Sequence, residues 1–89
     1  MQQKKLLIIN KLGLHTRAAA KFVAITNIYQ SDIEIIHKDK KTSGKSIIGL
    51  MTLSACEGSE IEIIINGEDE EQLMQAVEKL IINKFNESQ

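Results

Sequence analysis

The chain has 89 residues, a formal net charge of −1, 43% hydrophobic but only 3% aromatic residues, and a single cysteine, Cys56. Such a length makes one small domain, residues 1–89, whose modest core must come from aliphatic packing, and one cysteine excludes both an internal disulfide and a cysteine-rich zinc site. Its apolar segments are too short to span a bilayer, and Met1-Gln2-Gln3-Lys4-Lys5 leads straight into a strand instead of a secretory hydrophobic region, so a cytoplasmic protein is expected.

Lys5-Leu6-Leu7-Ile8-Ile9-Asn10 has the apolar, β-branched character of a strand, and Lys11-Leu12-Gly13 reads as a short loop. From Thr16 the alanines, Lys21 and Phe22 predict a helix to about Tyr29, with Ala19, Phe22, Val23 and Thr26 on its buried side. Asp32–His37 alternates like a half-buried strand with Ile33 and Ile35 inward. Lys38-Asp39-Lys40-Lys41 makes a polar turn, and Thr42-Ser43 begins a short returning strand before Gly44. Ser46 is placed to N-cap a short helix over Ile47–Leu53, with Leu50 and Leu53 facing the core. Cys56 is expected to be a small buried thiol, and Gly58 a break. Glu60–Ile65 is the clearest strand, with Ile61, Ile63 and Ile65 inward, and Asn66-Gly67 turns the chain. Asp69 with Gln72 forms a capping pair for a last helix that buries Leu73, Val77, Leu80 and Ile81. The acids Glu68, Asp69, Glu70 and Glu71 complement the dipole of that helix, and no metal is assigned to them. The order β-α-β-β-α-β-α predicts an α+β fold, a sheet with antiparallel pairings covered on one face by helices.

Charge is unevenly spread. Residues 1–50 carry nine bases against three acids, or +6, and residues 51–89 carry two lysines against nine acids, or −7. Lys11, Arg17, Lys21 and Lys45 fall in or beside the segments that carry chemistry, which suits an acidic protein partner and a phosphoryl group. Nucleic acid fits less well, because Phe22, Tyr29 and Phe85 offer no stacking platform.

His15 stands where the first strand gives way to the helix, at unpaired backbone N–H groups whose dipole favours an anion, with Arg17 two residues on. A histidine so placed is an exposed loop residue, a helix cap, or the acceptor of a phosphoryl group whose charge would meet the helix amides and the guanidinium. Thr16 contributes an amide to that helix start, and its hydroxyl is available for capping. Ser46 is an N-cap by its position. Ile47, Ile48 and Met51 are left over once Leu50 and Leu53 are buried, and form a small apolar patch flanked by Lys45 and Arg17. His37 has no paired ligand and no assigned role.

Gly13-Leu14-His15-x-Arg17 and, about thirty residues later, Lys45-Ser46-Ile47-Ile48-Gly49-Leu50-Met51 together resemble the HPr family, the histidine-containing phosphocarriers of the bacterial phosphotransferase system. The similarity covers essentially the whole chain. It implies an open-faced β-sandwich, a four-stranded antiparallel sheet covered on one face by three helices. It also implies that phospho-enzyme I, charged by phosphoenolpyruvate, phosphorylates His15 at Nδ1, and that His15 passes the group to an EIIA component. Such a protein is a carrier and not an enzyme, works without a cofactor or metal, and is expected to be a monomer that neither binds nucleic acid nor inserts into membranes. Arg17 and the Thr16 amide would stabilise the phosphoryl group. Ile47, Ile48, Met51, Lys45, Ala20 and Lys21 would meet partners. In many members the serine matching Ser46 is phosphorylated by an ATP-dependent enzyme, HPr kinase/phosphorylase, which gates transfer. Ala18 stands where the family usually has proline; it keeps the helix and adds an N–H. Asn10–His15, Arg17–Val23 and Ile82–Phe85 also look like the nitrogen-related paralogue NPr, so both sugar uptake and nitrogen-related regulation are open. The rival from another class is a plain α+β interaction module with an incidental histidine; for a small enzyme there is no nucleophile–base pair or metal set.

Overall fold

Alternation of isoleucines builds the sheet. In the computed structural model, which describes residues 1–87, Ile33 and Ile35 of strand β2 (Asp32–His37) and Ile61, Ile63 and Ile65 of β4 (Glu60–Asn66) are buried on one face. β1 (Gln2–Leu7) and β3 (Lys40–Ser43) complete an antiparallel sheet of order β1-β4-β2-β3. The three helices α1 (Thr16–Thr26), α2 (Ile47–Thr52) and α3 (Glu70–Ile82) bury their apolar stripes in one shared core with those isoleucines. A single 3₁₀ turn, Lys84–Asn86, follows α3. Each fully buried isoleucine, leucine or phenylalanine contributes about 1.5–3 kcal/mol relative to exposure. The α+β fold expected from the element order is the one observed, with the expected inward residues on β2 and β4. The first strand, expected over Lys5–Asn10, lies earlier, at Gln2–Leu7, because it pairs with β4 from Gln2 opposite Ile65 to Leu7 opposite Glu60.

Four further local expectations are corrected. α1 stops at Thr26 and does not reach Tyr29, because the Thr26 hydroxyl donates to the Gly44 carbonyl at 2.8 Å and pins the chain there. The returning strand begins at Lys40, so the polar turn shrinks to Lys38 and Asp39, with Lys38 left-handed at φ 57°. Cys56 is exposed: Ala55 takes the interior place, and Cys56 lies on the outside of a turn where its N–H donates to Ser59 Oγ at 3.0 Å.

The fourth is the Asp69–Gln72 capping pair. Asp69 occupies the N-cap position, yet its carboxylate turns to the start of β2 and accepts from Gln30 N (2.9 Å), Ser31 N (2.9 Å) and Ser31 Oγ (2.5 Å). The reach-back is made by Glu70, which accepts from Gly67 N at 3.1 Å and pairs with the terminal amino group at 2.7 Å. These contacts cross from α3 to the sheet, so both acids fasten helix to strand.

Hydrogen bonds from the Ser31 hydroxyl and the Gln30 amide hold Asp69 below its ordinary carboxylate range, and the amino terminus and the Gly67 amide do the same for Glu70. A depressed folded-state value means that the unfolded chain binds more protons as acid is added. The stabilisation is therefore complete above the unfolded-state range, about pH 4, and is lost as pH falls through the lower folded values. Thermal unfolding followed between neutral pH and about pH 3 should show Tm falling below about pH 5, with a shallower fall in Asp69→Asn. An identical slope in the two proteins would mean that Asp69 is not among the groups responsible.

Candidate functional site

The loop from β1 to α1 sets the position of His15. Gly13 has φ 67°, and a Cβ there would collide with the Ala55 carbonyl and the Cys56 Cα, so glycine alone lets this loop lie against the 55–56 segment. Leu14 N donates to Ala55 O at 2.9 Å, and the Leu14 side chain is buried, which locks the residue before His15 to the core. His15 is the N-cap of α1 with extended backbone (φ −81°, ψ 178°), and its carbonyl accepts from Ala19 N at 2.9 Å. Its side chain makes no capping bond, and the first turn of α1 holds no acid. The helix start is thereby left to an incoming anion.

The imidazole is held from the other side. His15 Nε2 lies 2.5 Å from Glu87 Oε2, and the two side chains are 23% and 12% exposed. Glu87 Oε1 accepts from Asn10 Nδ2 at 3.0 Å, and the same amide donates to Gly13 O at 2.9 Å. Asn10 is fully buried, and its Oδ1 has no partner among the described residues. Burial pushes the Glu87 carboxyl up, but the hydrogen bonds from Asn10 and His15 and the charges of His15 and Lys21 outweigh it and hold the group below its ordinary range. His15 Nδ1 makes no hydrogen bond among the described residues.

Sequence reasoning missed Glu87, which is 72 residues from His15. A signal existed: Phe85 lies beyond a helix end, and a phenylalanine that must be buried there draws the following acid back onto the fold. Lys84, Phe85 and Asn86 all have left-handed backbone (φ 56°, 54° and 59°), which reverses the chain, while Phe85 is fully buried.

The other expected site residues divide. Arg17 is exposed on the first turn of α1 and meets no acid among the described residues, so its guanidinium is available. The Thr16 hydroxyl does not cap; it points across to Met51 Sδ at 3.7 Å, which joins the start of α1 to the surface of α2. Ser46 caps α2 as expected, accepting from Gly49 N at 3.0 Å. Ile47, Ile48 and Met51 are exposed, Ile48 at 76%, while Leu50 and Leu53 are buried. Ala20 is exposed on α1.

Two lysines are engaged elsewhere. Lys45 Nζ donates to Tyr29 O at 3.0 Å, filling a carbonyl just past the C-terminal end of α1, so it does not stand free at the edge of the patch. Lys21 Nζ donates to Phe85 O at 2.7 Å and ties down the segment that carries Glu87. His37 is buried with Nδ1 2.8 Å from Leu53 O, a structural contact between β2 and the end of α2.

This arrangement presents, among the described residues, one ring nitrogen without a hydrogen-bond partner on a partly exposed imidazole at a helix start, an exposed guanidinium without an acid partner, and an apolar patch. It suits a group that is accepted and handed on at the surface between two proteins.

Known proteins resemble this chain over its length. Residues 2–83 match a family model described as "PTS HPr component phosphorylation site". A "Phosphocarrier protein HPr" of Xylella fastidiosa is 44% identical over 87 residues, covering 98% of each chain. One of Neisseria meningitidis is 40% identical over 89 residues, with full coverage of both. The crystal structure of HPr from Thermoanaerobacter tengcongensis superposes with a TM-score of 0.95 at 37% identity over the whole of both chains. Both the sequence and the fold therefore make this chain a member of the HPr family, a phosphocarrier of the phosphotransferase system and not a catalyst.

Proposed function

We propose that His15 carries the phosphoryl group on Nδ1, receiving it from phospho-enzyme I and passing it to an EIIA protein of sugar uptake or of nitrogen-related regulation. The observation that carries this reading is the state of the imidazole: at the N-cap of α1, Nε2 is engaged by Glu87, and Nδ1 has no hydrogen-bond partner among the described residues. Attack by the Nδ1 electron pair forms the new P–N bond as the bond to the donor histidine breaks. Arg17 and the first-turn amides balance the arriving negative charge. Incubation with enzyme I and phosphoenolpyruvate, followed by peptide mapping under alkaline conditions, should place one acid-labile phosphoryl group on His15. No label, or label on another residue, would refute the assignment. Presenting sugar-type and nitrogen-type EIIA proteins in turn then distinguishes the two branches by which of them discharges the protein.

Docking falls to Ile47, Ile48 and Met51, which the Thr16–Met51 contact sets next to the start of α1. With Arg17 nearby, the patch fits an acidic partner surface that surrounds an apolar centre. Met51→Glu should slow transfer from phospho-enzyme I by about tenfold, the cost of a misplaced charge of about 1.4 kcal/mol. Ser46→Asp should act in the same direction, and phosphorylation of Ser46, which adds about −1.5 to −2 charges, more strongly. Because both substitutions lie on exposed or half-exposed positions of α2, Tm should stay within a few degrees of the parent. Rates unchanged by both, measured at low and at high salt, would move the docking surface elsewhere.

A further inference from the structure

We infer that Asn66-Gly67 is a self-modification site, at which attack by the Gly67 nitrogen expels the Asn66 side-chain nitrogen as ammonia, and that Glu70 is the guard that keeps this reaction slow. The product is an aspartate or isoaspartate at the last residue of β4. This chemistry is independent of phosphoryl transfer at His15.

Packing fixes the dipeptide. Gly67 has φ 157°, and a Cβ there would strike the Ser31 hydroxyl and Cα, so only glycine fits between β4 and the residue that precedes β2. A glycine leaves its own nitrogen unshielded, which makes the asparagine before it the labile one. Asn66 is exposed, and its side chain makes no hydrogen bond among the described residues. It opens onto a groove of about 470 Å³ shared with Asp32, Glu34 and Lys45, which gives the carboxamide room to turn. The other asparagines, Asn10, Asn27, Asn83 and Asn86, all precede bulkier residues.

Glu70 holds the reaction back. Its Oε1 accepts from Gly67 N at 3.1 Å, and Oε2 pairs with the Met1 amino group at 2.7 Å. The attacking species is the deprotonated Gly67 nitrogen. A carboxylate on that N–H disfavours a second negative charge beside it, and keeps the nitrogen directed at Glu70.

The step balances with water alone. Gly67 N gives its proton to a solvent base and bonds to Asn66 Cγ. The Cγ–Nδ2 bond breaks, and the nitrogen leaves as ammonia after taking a proton from water. Water then opens the cyclic imide. Addition at the side-chain carbonyl gives aspartate; addition at the main-chain carbonyl gives isoaspartate, with an extra methylene in the backbone. Either product brings a carboxylate opposite Asp32, the cross-strand partner of residue 66, and like charges so placed loosen that end of the sheet.

The test incubates parent, Glu70→Ala, Asp69→Asn and Asn66→Gln proteins in mildly alkaline buffer. The peptide containing residue 66 is followed by mass spectrometry and by isoaspartyl methylation. The parent should convert at Asn66 ahead of Asn27, which is also exposed but precedes Ile28. Glu70→Ala should convert about tenfold faster, the effect of removing a hydrogen bond to a charged acceptor. Asp69→Asn loosens the same turn but leaves Glu70 on Gly67 N, and should accelerate far less. Converted parent should melt a few degrees lower. It should still accept the phosphoryl group, because the chain leading to His15 leaves the sheet beside Glu60, at the other end of β4. No conversion at Asn66 in either parent or Glu70→Ala overturns the site, as does the same conversion in Asn66→Gln. A rate in Glu70→Ala equal to or below that of the parent overturns the guard. Equal acceleration in Asp69→Asn does so too, because any loosening of the turn would then suffice.

Discussion

His15→Ala is expected to fold like the parent and to take no phosphoryl group from enzyme I and phosphoenolpyruvate. The side chain makes no capping bond, and the backbone that starts α1 is held by Leu14 N on Ala55 O and by Ala19 N on His15 O. Truncation thus removes one partly exposed contact, with Glu87, whose other oxygen keeps Asn10. Such a change costs no more than about 1 kcal/mol. The loss of function should instead be complete, because the substitution deletes the nucleophile and leaves only the groups that would surround it. The second histidine offers no substitute: His37 is buried and its Nδ1 is engaged by Leu53 O. Near-parental Tm with no label on any residue is the expected pair of results. Residual labelling, or label that moves to His37, would show that the acceptor has been misassigned.

What the sequence made legible is what depends on neighbours along the chain. Alternation places Ile33, Ile35, Ile61, Ile63 and Ile65 on one face, and helical spacing places Phe22, Val23, Leu73 and Val77 against them. The Gly13-to-Arg17 motif locates the site for the same reason, since a tight loop, an N-cap and a first helical turn are consecutive residues. Ser46 and the exposed trio on α2 are local too. The residues that went unread are those whose partners are distant. Asp69 looks like a cap until Gln30 and Ser31 arrive at its side from the start of the neighbouring strand, where Asp32 pairs with Asn66. Lys45 and Lys21 look like free surface charges until Tyr29 O and Phe85 O are brought within reach. Cys56 defeats the expectation for a free thiol because Ala55 already fills the inward place. Glu87 is the extreme case, for it touches His15 only because three successive left-handed residues reverse the chain after α3.

Phe85→Ala should produce the largest loss of stability of any substitution considered, and should release the Glu87 strap with it. Phe85 is fully buried in the shared core, and truncating such a ring costs about 3–5 kcal/mol. A domain of this size has only about 5–15 kcal/mol to lose, so Tm should drop by at least about 12 °C. The strap is more exposed to this change than the sheet is. Left-handed backbone costs roughly 1–2 kcal/mol for each residue that is not glycine, and Lys84, Phe85 and Asn86 all adopt it. The Lys21 bond to Phe85 O, charge-assisted and worth about 1.5–3 kcal/mol, cannot alone offset that strain. Burial of the ring is the remaining large favourable contribution, so without it the 84–87 segment should come away and free His15 Nε2. Amide exchange of Asn86 and Glu87, whose N–H groups bond to Asn83 O and Lys84 O, should accelerate well beyond that of β4 in the same protein. Phe85→Leu, which keeps most of the volume, should cost less than about 1.5 kcal/mol and retain the Glu87–His15 contact. A Tm within about 3 °C of the parent in Phe85→Ala would mean that the ring is not part of the cooperative core. A large drop with Asn86 and Glu87 still protected would mean that polar contacts hold the strap by themselves, and that the ring stabilises the core without positioning the carboxylate.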